Sequence, residues 1–445
     1  LLRSVATVKR AVALCNRDLG YLDSQVAEAI AVAADSFCSM SDTEIAGELP
    51  LDAYQGGAGT STNMAVNEWL AERAGQTLDG REVDPHDEVN LHQSTNDVMP
   101  TALRLMMHDL LERLEGEAER LQAVLQEGET AYDLRLQVGR TELRDAVVTT
   151  LGREYGTWAH GISRDRWRCF KARERIREVN LGGTAIGTGA GAPRQYVLHV
   201  CRYLQQEVDH PINRAEHLVE ATSNYDQVVE AMDAVKCLAV NLRRIASDLR
   251  LLASGPRSGL GEIDIPNLLP GSSIMAGKVN PVIPEAVIQC SERILANDAL
   301  LSRLASMSEL ELNAFFPGIT QAVYESLTLA LGAVGRVCDY LPLIVPRAGS
   351  GEASCAQAQA VALLPLLSYD ESALLVRQAE ATGEPLDRFL VSAKVLSEEE
   401  AQAVFAPANL LSLGYDEELY DDLRRRRDGA IKALVSECRK REELQ

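Results

Sequence analysis

Strand-like alternation of apolar and polar residues is nearly absent from this 445-residue chain, so its hydrophobic content is not arranged for a sandwich or a barrel. Aromatic residues make up only 5% and prolines number only 16, beside 46% hydrophobic residues. That balance suits long continuous helices, in a chain long enough to bury a large core. Positive charge is scarce as well: 44 Lys and Arg stand against 65 Asp and Glu, a net charge of -21. A surface of that average sign repels nucleic acid and anionic membrane, so neither is expected as a partner.

No run of about 18 apolar residues occurs and no signal-peptide pattern opens the chain, so neither membrane spanning nor export is expected. Nine cysteines, an odd number, are scattered from Cys15 to Cys438 without one Cys-x-x-Cys pair. Neither a disulfide framework nor a zinc site is indicated, and reduced thiols in a cytoplasmic protein are the expectation. No cofactor or metal is expected. A Gly-rich run from Gly182 to Gly191 has the look of a phosphate cradle, but it follows a helix and lacks both a Walker lysine and a Rossmann acid.

What the chain does have is helical periodicity. Leu1 to Phe37, Leu103 to Glu127, Ala146 to Val179, Tyr225 to Leu252, Pro281 to Met307 and Pro317 to Leu341 place apolar residues at spacings of three and four. The fold class expected is all-α, mainly, as a long-helix bundle whose helices pack on one another and on partner subunits. Turn chemistry separates three zones: an N-terminal helical domain over 1–98, a central bundle over 99–345, and a smaller helical C-terminal domain over 346–445. Ala348-Gly349-Ser350-Gly351-Glu352 reads as a flexible passage into the last of these. The run Arg424-Arg425-Arg426-Arg427 reads as a solvated helix face.

Chemistry concentrates in the loop over 271–281. Gly271-Ser272-Ser273-Ile274-Met275-Ala276-Gly277-Lys278-Val279-Asn280-Pro281 sets two hydroxyls, a lysine and an amide between glycines that let the backbone swing, followed by prolines that suit a helix start. These residue types fit a mobile lid that closes on substrate and removes a proton from carbon beside a carboxylate. Thr60, Ser94, Thr95 and Thr141 are short hydroxyls near glycines and expected helix starts, positions equally suited to N-caps and to carboxylate binding. Such a deprotonation leaves two negative charges on one carboxylate, and preorganised donors must stabilise them.

The lid strongly resembles the Gly-Ser-Ser-x-Met-Pro-x-Lys-x-Asn-Pro motif of the aspartase/fumarase superfamily, departing at Ala276, where Pro is usual. Three more segments resemble that family in the expected order: Gln55 to Met64 with Asn67-Glu68, His92-Gln93-Ser94-Thr95-Asn96-Asp97, and Gly139-Arg140-Thr141-Glu142-Leu143-Arg144-Asp145-Ala146. The resemblance implies a three-domain, homotetrameric helical core with active sites shared between subunits. It implies Ser272 as general base, activated by N–H donors and by Lys278. Thr60, Ser94, Thr95 and Ser273 would hold the carboxylate beside the acidic carbon, Lys278 and Asn280 the other carboxylate, while Asn96 and Thr141 face the leaving amine. It also implies that a native N-terminal piece precedes Leu1.

Departures from the family pattern bear on substrate. Glu142 stands where relatives carry His or Gln, and it either faces a cationic amine or turns to Arg140 or Arg144 as a passive ion pair. Asp84 and His86 alter an accessory carboxylate site of fumarases, Gly191 replaces a usual Asn, and Ser368 a usual Gly. Gln55 to Asn63, Val179 to Gly189, Glu220-Ala221-Thr222-Ser223 and Ser254 to Leu260 resemble aspartases and favour a carbon–nitrogen lyase that eliminates ammonia from L-aspartate, a small amino-acid substrate, to give fumarate. The alternatives, in order, are an amine lyase that expels trimethylamine from a betaine in the manner of ergothionase, a fumarase, and an inactive structural relative.

Overall fold

The computed structural model describes residues 1–347 and 356–443; the passage expected at Ala348 to Glu352 lies outside the described residues. The chain is mainly all-α, and the sheets among the described residues are three two-stranded pairs. No described helix is long and apolar enough to cross a membrane. The residues fall into two compact units, Leu1–Leu121 with Gly161–Ser247 and Ile283–Cys338, and Gln122–His160 with Asp248–Val282 and Asp339–Gln445.

In the first unit the stretch expected as one helix over Leu1 to Phe37 is two, Leu2–Asp18 and Ser24–Ser39. Gly20 takes φ +76, a left-handed conformation that stops the first helix. The Asp23 carboxylate then caps the second by accepting from the Gln25 and Val26 amides. The two helices pack through buried Val5, Val8, Val12, Ile30 and Phe37, and the Phe37 ring meets Trp69 edge-on at 4.8 Å. Helix Thr95–Ala131 begins eight residues before its expected start at Leu103 and carries Pro100 in its second turn. Helices Asp226–Leu252, Val282–Ala305 and Phe316–Tyr340 lie close to their expected ranges.

The second unit corrects the sequence reading once more. Residues expected to open a helix at Ala146 instead form strand Arg144–Thr150, which pairs antiparallel with Leu136–Thr141; the helix is Leu151–Arg175. Val147-Val148-Thr149-Thr150 is β-branched throughout, and its burial alternates with Val148 and Thr150 inside. Val138 and Val148 pack with Ala358. The C-terminal helices enclose Leu374, Leu390, Val404, Tyr420 and Leu423. Ser368 caps one of them in a reciprocal box with Glu371, a role the usual Gly cannot fill. The Arg424 to Arg427 run lies on helix Glu417–Glu443, where Arg426 and Arg427 both pair with buried Glu400.

One close approach in this unit is steric. A Cβ on Gly152 would lie 2.7 Å from the Asp133 amide nitrogen and 2.5 Å from the Glu129 carbonyl oxygen, both backbone atoms that cannot swing aside. Alanine gains about 1 kcal/mol over glycine in a free helix, whereas overpacking costs about 1 to 3 kcal/mol. The clash is therefore expected to win: Gly152→Ala should lower the thermal unfolding midpoint, read by calorimetry, and a higher midpoint would show that this backbone contact is not tight.

Candidate active site

Four of the expected site residues lie in the first unit, around a buried polar network. Asn90 Oδ1 accepts hydrogen bonds from Lys9 Nζ at 2.8 Å, Asn63 Nδ2 at 3.2 Å and Asn67 Nδ2 at 3.2 Å. Asn63 also donates to Thr95 Oγ1 at 3.3 Å, which joins the Gln55 to Met64 segment to the His92 to Asp97 segment. Thr60 opens helix Thr60–Thr77 one turn before Asn63 and donates to the Gly57 carbonyl at 2.7 Å. Ser94 Oγ accepts the Asn96 amide at 3.2 Å at the start of the long helix.

The fixed point of this arrangement is Asp97, fully buried. One carboxylate oxygen accepts the Ser94 amide at 2.9 Å, and the other accepts the Gly182 and Thr184 amides at 3.1 and 3.0 Å. Burial pushes its carboxyl up to about 6 despite those donors, and burial pushes Lys9 down to about 7. Asn96 reaches the same Gly-rich run, donating to the Ala185 carbonyl at 2.8 Å, and its own carbonyl accepts from Asn180 at 2.9 Å. The glycines are thus a support for the Ser94 to Asp97 turn. Gly191 has φ +83 with open space around it, a backbone state that Asn also tolerates, so conformation explains that exchange. Asp84 accepts the His86 and Asp87 amides, both at 2.7 Å, and so caps a short helical turn.

The other expected residues lie in the second unit. Thr141 ends the first strand of the hairpin, and Glu142 and Leu143 form its two-residue turn with φ of 55 and 61, the mirror-image geometry that suits a tight hairpin. Both side chains are exposed. Glu142 pairs with neither Arg140 nor Arg144; Arg140 instead meets Glu262, whose side chain is 4% exposed. The passive ion pair weighed for Glu142 is therefore not formed among the described residues. Non-glycine residues in left-handed conformation carry local strain, which concentrates at functional turns.

The lid closes on itself. Asn280 Nδ2 donates to the Gly271 carbonyl at 2.6 Å and the Lys278 amide to the Met275 carbonyl at 3.2 Å, so its two ends are tied together. Ser272 Oγ accepts the Ile274 and Met275 amides at 3.2 and 3.0 Å. Ser272 and Lys278 both line a hollow of about 450 Å³ that runs from Asn267 to Lys278. Ser273 and Lys278 are exposed, and Ile274 is 88% exposed. Two N–H groups aimed at one hydroxyl oxygen favour its anionic form over its neutral form. Sequence reasoning did not assign Lys9, Asn90, Asn180 or Glu262; Asn63, Asn67 and Asp97 stood in quoted motifs without a role.

Comparisons with known proteins agree with this architecture. Residues 2–296 match a family described as lyase. The aspartate ammonia-lyase of Helicobacter pylori strain J99 is 35% identical over 423 residues, covering 92% of this chain and 89% of that protein. That of Bacillus subtilis strain 168 is 34% identical over 422 residues, with 93% and 88% covered. Among solved structures, the fumarate lyase:delta crystallin of Brucella melitensis bound to cobalt superposes with TM-score 0.85 at 35% identity, over 95% of this chain and 90% of that one. The class II fumarase of Schistosoma mansoni gives 0.82 at 28% identity, over 92% and 90%. The fold is that of a lyase. The chain belongs to the aspartase/fumarase superfamily, and it is an enzyme of the aspartase-like ammonia-lyase kind.

Replacing Asp97 with Asn would set an NH2 group against backbone N–H donors and leave at least one buried amide unpaired. Asp97→Asn is expected to cost roughly 2 to 3 kcal/mol of stability, measured by urea unfolding. A loss below about 0.5 kcal/mol would mean that the Gly-rich run does not depend on this carboxylate.

Proposed function

We propose that this lyase eliminates ammonia from L-aspartate to give fumarate, with Ser272 as the general base. The observation that carries the reading is the lid: Ser272 Oγ already accepts two backbone N–H groups, and Lys278 stands on the same hollow. An alkoxide in that setting is stabilised by the donors and by the ammonium charge, which brings an otherwise weak base into range. The names of the relatives from Helicobacter pylori and Bacillus subtilis support aspartate as substrate.

Proton removal from the carbon beside one carboxylate gives an aci-carboxylate, held by Thr60, Ser94, Thr95 and Ser273. Lys278 and Asn280 hold the second carboxylate, and Asn96, Thr141 and Glu142 face the departing amine. Collapse of the intermediate then expels ammonia and forms the double bond. We assign these residues to a composite site shared between subunits of a cytoplasmic homotetramer; exposed apolar side chains such as Val240 and Tyr324 on long helices are consistent with partner faces. The division into 1–98, 99–345 and 346–445 belongs to the same proposal.

Ser272→Ala is expected to lower kcat at least 100-fold while oligomer size by light scattering is unchanged, since it removes the base and little packing. Retention of a tenth of wild-type kcat would remove Ser272 from that role. For Glu142, the free carboxylate at the hairpin turn favours the amine-facing reading over the ion pair. Glu142→Gln should retain activity on aspartate and weaken a trimethylammonium betaine by about 1 to 3 kcal/mol in kcat/KM. An unchanged ratio between the two substrates would end the role of Glu142 in choosing the leaving group.

A further inference from the structure

Outside the residues assigned to lyase chemistry, the geometry points to a binding site for a divalent transition-metal ion in the first unit, formed by His108, His210 and the Asp109 carboxylate. His108 sits within helix Thr95–Ala131 and is 4% exposed; His210 follows helix Arg194–Glu207 and is 9% exposed. Their rings stack with centroids 3.5 Å apart and planes 9° from parallel. Asp109 Oδ1 lies 3.9 Å from His210 Nδ1. One ligand atom from each of the three residues falls within 4.8 Å of the others.

The second observation is an unsatisfied one. His108 Nδ1 and His210 Nε2 are buried and have no hydrogen-bond partner. Buried polar atoms are rarely left so, and two on facing rings need an account. A metal ion on those two nitrogens supplies it, with Asp109, now 3.9 Å from the other nitrogen of His210, turning its exposed carboxylate to the ion. Donors bound at about 2.0 to 2.2 Å around a tetrahedral ion stand roughly 3.3 to 3.6 Å apart, so the three ligand atoms, now within 4.8 Å of one another, would draw closer on binding. Imidazole lone pairs lie in the ring planes, so an ion would hold the two rings only after they turn out of the stack about their Cβ–Cγ bonds.

The donor set also selects the ion. Two imidazoles and one carboxylate suit Zn²⁺ and its borderline neighbours, whereas Mg²⁺ and Ca²⁺ prefer all-oxygen shells. The Asp109 side chain is 64% exposed and leaves the fourth position open to water. Arg173 does not exclude a cation, because Glu112 and Glu115 both pair with it. A bound ion would clip the long helix to the segment that follows Glu207. No Cys-x-x-Cys or paired His spacing announces the site, because the two histidines are remote in sequence.

Chelator-treated full-length protein titrated with Zn²⁺ by calorimetry, alongside thermal unfolding, tests the assignment. Wild type is expected to bind one ion per chain and to gain thermal stability with added Zn²⁺. His108→Gln and Asp109→Asn should each weaken binding at least tenfold and abolish the thermal shift, while His160→Gln, at an exposed position, leaves both unchanged. If the buried His108 variant fails to fold, the exposed Asp109 variant carries the test alone. Absence of Zn²⁺ binding in wild type, or binding of equal strength in wild type and Asp109→Asn, would overturn the site; so would Mg²⁺ competing as well as Zn²⁺.

Discussion

A carboxylate with no access to water fixes the start of the longest helix to a glycine-rich run far along the chain. Asp97 does this with three backbone N–H bonds, from Ser94, Gly182 and Thr184. An ionised carboxylate is costly to bury, and those donors are what make it tolerable. Ser94, Thr95 and Asn96 precede Asp97 in one turn, so their orientation follows from its anchorage. Asn96 adds a second tie to the same run, and the Lys9–Asn90 network holds Asn63 and, through it, Thr95. Pre-organised donors of this kind are what stabilisation of a doubly charged carboxylate requires, because donors that must first reorganise lose much of their effect.

The lid applies the same physics with backbone groups alone. Its ends are tied by Asn280 to Gly271, so the amides of Ile274 and Met275 stay near Ser272 Oγ even though the loop is exposed. Ile274 of this loop is exposed apolar surface. The hairpin with Glu142 at its turn is held differently, through Arg140 and the buried Glu262. Arg140 is engaged there, and Glu142 has no ion-pair partner among the described residues.

Legibility in the sequence followed the range of the interaction. The long helices were readable because three-and-four spacing is a local property, and Asp226–Leu252 and Phe316–Tyr340 sit within a residue of their expected bounds. The break at Gly20 was also local, and a glycine followed by Asp23 was the signal for it. The part of the strand from Ala146 onward was misread as helix because Val147-Val148 fits either period over so short a span, and only pairing with 136–141 decides it. Among site residues, the lid and the Ser94 to Asp97 turn were visible as motifs that resemble a known family. Their supports, Lys9, Asn90, Asn180 and Glu262, were not, since a lone polar residue in a helix or loop carries no sign of its partner.

By itself the sequence determined a mainly helical enzyme of the aspartase/fumarase superfamily, with its hydroxyls, lysine and amides in recognisable order, because residue type and spacing set both periodicity and chemical capability. Only tertiary structure decided that the Gly182 to Gly191 run supports the Asp97 turn, that Arg140 belongs to Glu262, and that His108 and His210 stack. Each of these joins residues distant along the chain. Which buried donor meets which acceptor is fixed by how the elements pack, and that is information no local pattern contains.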